Sequence, residues 1–153
     1  MTIFIDGDGC PVVDLTIEIA KNKNIPCTIL CDNCHVFNKP YAKTITVSKG
    51  ADSVDFAIVN MLAKNDIVIT QDYGLAAMCL ARGAKALSQN GMEYTNINID
   101  SLLLSRHTNK KLRTSGKYGK EKNKSIKLKN NPKRTTQQDK DFFDKLTQML
   151  NAI

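Results

Sequence analysis

Several features that would decide the class of this protein are missing from its sequence. No apolar stretch approaches the roughly 20 residues that a membrane-crossing helix needs, which excludes such a helix. The first residues, Met1-Thr2-Ile3-Phe4-Ile5-Asp6, contain no basic segment ahead of an apolar one, so no signal peptide is expected and the location expected is cytoplasmic. In a reducing compartment Cys10, Cys27, Cys31, Cys34 and Cys79 are expected to be free thiols. There is no internal repeat, and no second CxxC motif accompanies Cys31–Cys34. Acidic residues are nearly absent from 106–134, where Glu121 alone opposes a run of Lys and Arg.

With 153 residues, 42% hydrophobic and 24% charged, the chain has the size and balance of one globular domain. The net charge of +7 is concentrated in that basic run, which includes Arg106, Lys110, Lys111, Arg113, Lys117, Lys133 and Arg134. Clustered cations gain free energy by releasing counterions from phosphates, so a nucleic-acid partner is one expectation. A solvated basic loop that merely aids solubility is the other.

Hydrophobic patterning predicts alternating strands and helices. Ile3–Ile5, Thr28–Leu30, Thr44–Val47, Ile67–Thr70 and Ala84–Leu87 read as strands. Helices are expected after Pro11, after Asp52 or Ser53, after Asp72, and over 97–105. Strands joined by helical crossovers make a parallel sheet covered on both faces. Residues 1–106 are therefore expected to form a three-layer α/β core. Residues 107–134 carry Gly116, Gly119 and Pro132 with no apolar period, and are expected to be a flexible basic segment. Thr135 or Thr136 then caps a final amphipathic helix within 135–153 that carries Phe142, Phe143, Leu146, Met149 and Leu150 and docks on the core.

Four aspartates stand out against this frame. Asp6 and Asp8 follow the first strand, Asp72 follows the strand at 67–70, and Asp55 lies in a helical first turn. Open parallel sheets bind ligands beyond the carboxyl ends of their strands. Carboxylates gathered there repel one another unless a hard cation such as Mg²⁺ or Mn²⁺ joins them. Taken singly, Asp72 reads as a helix cap, Asp55 as a favourable dipole partner and Asp6-Gly7-Asp8-Gly9 as a turn.

The segment Phe4-Ile5-Asp6-Gly7-Asp8-Gly9-Cys10-Pro11-Val12 resembles the opening of the YaiI/YqxD family of uncharacterised bacterial proteins. Asp55-Phe56-Ala57-Ile58-Val59 is similar to that family's second acidic motif, and Asp66-Ile67-Val68-Ile69-Thr70-Gln71-Asp72-Tyr73-Gly74-Leu75-Ala76 to its third. Asn90 to Thr95, Arg106, Arg113 and Gly116 fit the later pattern, so the likeness spans nearly the whole chain. Glycines replace two usual alanines, and the Gly/Arg-rich C-terminal motif is blurred into Lys129–Arg134. The resemblance implies a Rossmann-like, PIN-like fold with Asp6, Asp8, Asp55 and Asp72 as metal-site and catalytic acids. It further implies a metal-dependent nuclease in which Thr70 and Gln71 orient phosphate or water; with the basic run beside it, the substrate expected is nucleic acid, RNA more than DNA.

Three other readings compete. Asp6-Gly7-Asp8-Gly9 after a strand also matches haloacid-dehalogenase-type phosphatases, with Asp6 as nucleophile, although Cys10 stands where threonine is usual. A non-catalytic nucleic-acid-binding protein is the second. A zinc site from Cys27, Cys31, Cys34 and His35 is the third, set against thiols with no ligand role. Cys10, near a helix start, reads as a small residue supporting the turn rather than a nucleophile.

Overall fold

A computed structural model describes residues 1–32, 39–48, 50, 53–115 and 133–152, the side chains of 109–115 excepted. Among these, six strands form one sheet in the order β3-β2-β1-β4-β5-β6: β1 (Ile3–Asp6), β2 (Cys27–Cys31), β3 (Lys43–Thr46), β4 (Ile67–Ile69), β5 (Lys85–Leu87) and β6 (Glu93–Tyr94). All neighbours run parallel except β5 and β6. The described helices are α1 (Val13–Asn22), α2 (Ser53–Met61), α3 (Tyr73–Ala81), α4 (Ile99–Ser115) and α5 (Thr136–Asn151). This is an α/β, Rossmann/PIN-like three-layer fold. Among the described residues no helix is long and apolar enough to cross a membrane.

The layers follow from strand alternation. Ile3 and Ile5 point to one face, where they meet Val13, Ile19 and Ala20 of α1 and Phe142, Leu146, Met149 and Leu150 of α5. Phe4 and Val68 point to the other, against Val54 and Ile58 of α2, Leu75, Ala76 and Cys79 of α3, and Ile99 of α4. Ile3, Ile5, Ile67, Val68 and Ile69 are all fully buried, as central parallel strands require. Each such side chain stabilises the fold by about 1.5–3 kcal/mol.

Several details depart from sequence expectation. The last core helix does not end at Ser105 but continues to Ser115, because no glycine or proline interrupts 99–115. Strand β6 was not expected; it is two residues long and pairs only through the tight turn at Ser88–Met92, where Gly91 has φ +84°. Ser53 does not cap α2, since its hydroxyl donates backward to the carbonyls of Ser48 and Gly50.

The final helix is pinned at its start. Thr135 and Gln138 form a reciprocal capping box. Arg134 donates to Asp139 Oδ1, to Asn90 Oδ1 at 2.9 Å, and to the carbonyls of Gln89 at 2.6 Å and Gln138 at 3.2 Å. Gly91 abuts the same helix: a Cβ there would lie 2.7 Å from the Asp141 carbonyl carbon and oxygen.

Candidate active site at the carboxyl edge of the sheet

The sheet reverses its winding between β1 and β4, so crossovers leave this point in opposite directions and open a crevice at the carboxyl ends. The register Ile5↔Ile69 sets Asp6 beside Thr70. Asp8 lies in the turn after β1, where Gly9 has φ +70°. Asp72 caps α3, Asp55 sits in the first turn of α2, and Asp32 follows β2. These five aspartates, with Gly50, Ser53 and Val54, line one cleft of about 230 Å³. Asp32 is not among the aspartates the sequence singles out, because it lies inside Cys31-Asp32-Asn33-Cys34-His35; its place just after a strand is the available signal.

Hydrogen bonds fix the crevice floor. The Thr70 hydroxyl donates to Asp6 Oδ2 at 2.7 Å and accepts from the Asp72 backbone N–H at 3.0 Å. Asp72 Oδ1 accepts from the N–H groups of Gly74 at 2.7 Å and Leu75 at 3.2 Å. Asp8 Oδ2 accepts from the Asp32 N–H at 3.0 Å. Burial pushes the Asp6 carboxyl above the ordinary 3.8; the Thr70 hydrogen bond opposes this, and the charges of Asp8 and Asp72 add to it. Asp72 thus caps α3 through one oxygen and also lines the cleft.

Five carboxylates offer hard oxygen donors of the kind Mg²⁺ and Mn²⁺ prefer, so the donor chemistry fits such an ion. They do not converge as they stand. Among the described residues, no group of three or more His, Cys, Asp or Glu is arranged to hold a metal ion. Ligation of a cation at this cleft would require the aspartate side chains to reorient.

A second cleft, about 450 Å³, adjoins the first through Asp72 and is lined also by Gln71, Tyr73 and Arg106. Arg106 Nη1 lies 3.4 Å from both Asp72 carboxylate oxygens. Gln71 is exposed, whereas Thr70 is fully buried and its hydroxyl is spent on Asp6 and Asp72. Of the two residues expected to orient phosphate or water, Thr70 therefore holds the acids and only Gln71 faces a cleft. The sequence marks Tyr73 only as part of a motif.

The basic residues separate. Lys133 is exposed, but Arg134 is turned inward to the contacts that hold α5, apart from the segment with which its sequence position groups it. Lys117 and the side chains of Lys110, Lys111 and Arg113 lie outside the described residues, as do Cys34 and His35. Cys27 and Cys31 are buried within β2. Burial pushes the Cys10 thiol up to about 11, which leaves it protonated at neutral pH and unsuited to nucleophilic attack.

Comparison with known proteins adds a family to this geometry. The model of the family described as "Uncharacterized BCR, YaiI/YqxD family" matches residues 4–152. A UPF0178 protein of Exiguobacterium sibiricum is 47% identical over 98% of this chain and 96% of its own length. UPF0178 proteins of Lachnoclostridium phytofermentans and Bacillus cereus are 43% and 38% identical, each over the whole of this chain and 99% and 100% of their own. No solved structure gives a significant match. With a match over nearly its full length, the chain belongs to the YaiI/YqxD family.

Proposed function

We propose that this protein is a metal-dependent phosphodiester hydrolase that acts on nucleic acid, with RNA its favoured form. One observation carries the reading: five aspartates line a single cleft at the point where the sheet reverses its winding. A carboxylate crevice repels phosphate by itself, so a divalent cation is what would make it attractive to a phosphodiester. Asp6, Asp8, Asp55 and Asp72 are the residues that would hold Mg²⁺ or Mn²⁺. When bound, such an ion activates water and steadies the departing oxygen. Thr70 bonds both the Asp6 carboxylate and the Asp72 N–H, and Arg106, on the rim of the crevice, would meet a phosphate oxygen. Of the described basic residues, Arg106 supports a polyanionic partner at this edge, since it lies against Asp72 with an exposed guanidinium, whereas Arg134 is spent on the turn that follows β5 and on α5.

The test is calorimetric titration of Mn²⁺ into the wild type and into Asp6→Asn/Asp72→Asn, followed by labelled RNA in the same samples. Cleavage confined to metal-loaded wild type supports the hydrolase. RNA retained without turnover makes the protein a non-catalytic binder. Hydrolysis of a phosphate monoester, unaffected by deletion of 107–134, makes it a phosphatase with Asp6 as nucleophile. Equal or absent metal binding in both proteins removes the catalytic reading.

A further inference from the structure

The cleft beside the aspartates differs from them in chemistry. It presents one aromatic ring, one amide and one guanidinium, from Tyr73, Gln71 and Arg106, and shares Asp72 with its neighbour. Its volume of about 450 Å³ falls within the range of small-ligand sites, roughly 300–1,000 Å³. The Tyr73 ring is braced rather than loose. It meets Tyr94 edge to face at 5.9 Å and 64°, and Tyr94 is itself buried, with its hydroxyl donating to the Thr70 carbonyl at 3.3 Å. Arg106, by contrast, is held weakly: its side chain is 59% exposed and its contact with Asp72 is long, at 3.4 Å. An exposed pair of this kind contributes little, so the guanidinium is free to exchange Asp72 for a phosphate.

We propose that the Gln71–Tyr73–Arg106 cleft seats the nucleotide next to the scissile phosphate, with Tyr73 stacking on an unpaired base and Arg106 holding its phosphate. The inference rests on the nucleic-acid reading above and sharpens it to single-stranded substrate. A base inside a duplex has both faces covered by its neighbours, so only an unpaired base can offer a face to this ring. Stacking of this kind tolerates any base, so the cleft selects strandedness rather than sequence. The two parts of the cleft have separable signatures. Loss of the ring affects only substrates that have bases, whereas loss of the guanidinium weakens every phosphate-bearing strand and flattens the salt dependence.

The experiment measures binding of the full-length chain to three oligoribonucleotides by fluorescence anisotropy. These are a single strand, the same strand in a perfect duplex, and a single strand made abasic, all in Ca²⁺. The proteins are wild type, Tyr73→Ala, Tyr73→Phe, Arg106→Ala and Arg106→Lys, with thermal melts to establish that each is folded. Tyr73→Ala should weaken the single strand about tenfold and leave the abasic strand and the duplex unchanged, with Tyr73→Phe close to wild type. Arg106→Ala should weaken single and abasic strands alike and reduce the slope of log K against log salt by about 1. Equal losses on the single and abasic strands in Tyr73→Ala, no loss on either, or a wild type that binds no single strand would each overturn the proposal. Cleavage, measured separately in Mn²⁺, keeps the two readings apart. A base-dependent Tyr73 effect without turnover leaves the subsite standing and removes the hydrolase. Turnover indifferent to Tyr73 does the reverse.

Discussion

Thr70 and Asp6 join the two strands at which the sheet changes direction: the hydroxyl of the first donates to the carboxylate of the second at 2.7 Å. Thr70 is fully buried, and the same oxygen accepts from the Asp72 N–H, so one side chain fixes an acid on β1 and the helix start after β4. Replacing Thr70 with valine keeps the shape and leaves a carboxylate and an N–H short of partners, at a cost of about 2–3 kcal/mol. Thr70→Ser keeps both bonds and loses one methyl, at about 1 kcal/mol. Chemical denaturation compares the two. A valine variant as stable as the serine variant would mean that water replaces the hydroxyl and that Thr70 does not set the geometry.

Asp72 separates stability from chemistry by choice of substitution. Asparagine caps a helix about as well as aspartate, whereas alanine loses the bonds to Gly74 and Leu75. Asp72→Ala should therefore cost about 1 kcal/mol, and Asp72→Asn close to nothing. Both should lose metal-dependent turnover if the residue holds a cation. Turnover that survives in Asp72→Asn would reduce Asp72 to its cap.

Much of this was legible in the sequence because parallel-sheet proteins announce themselves locally. Short β-branched runs such as Ile67-Val68-Ile69, bounded by turn residues, read as buried strands, and in a parallel sheet the residues just past them lie on one edge, which is how Asp6, Asp8 and Asp72 could be grouped. Asp32 obeys the same rule but was hidden by neighbouring cysteines. The strand order, and hence the reversal between β1 and β4, is a matter of long-range pairing that no local pattern encodes. The inward turn of Arg134 failed for the same reason, since it depends on the Ser88–Met92 turn meeting a helix some 45 residues later, whereas β6 is a local hairpin arm of two residues, too short to show an alternation of its own. Charge counting cannot tell a guanidinium satisfied by carbonyls from one facing solvent.

That meeting makes a prediction about the docking of α5. Arg134→Ala removes a fork of bonds to Gln89, Asn90, Gln138 and Asp139 and should cost about 2 kcal/mol, discounted for the half-exposed Asp139. Lysine should not rescue it, because a single ammonium cannot reproduce the planar fork. Gly91→Ala attacks the same junction from the other side, with strained φ and a Cβ pressed into the Asp141 backbone, and should cost at least about 2 kcal/mol. Hydrogen exchange should quicken in α5 in both variants. RNA affinity lost in Arg134→Ala with α5 protection unchanged would return Arg134 to the binding surface.

Asp6 yields the prediction in which stability and function pull apart. Its pKa is raised chiefly by burial, so ionised Asp6 destabilises the fold. The sign follows from linkage: the folded state binds this proton more tightly than the unfolded chain does. The contribution of Asp6 to stability is fully present below the ordinary 3.8 and is lost as pH rises through the folded value. In chelator at neutral pH, Asp6→Asn should therefore melt a few degrees above wild type. The gap should narrow as pH falls through the raised folded value and close below 3.8, where Asp6 is neutral in the folded and the unfolded chain alike. Added Mn²⁺ should reverse the order, because ligand binding stabilises only the protein that can hold it. A set of melts across pH, with and without Mn²⁺, reads all three effects. If Asp6→Asn melts below wild type in chelator, the Thr70 hydrogen bond outweighs the burial of the charge. Asp6 would then be a structural acid, held for the fold rather than kept, at some cost to stability, for a cation.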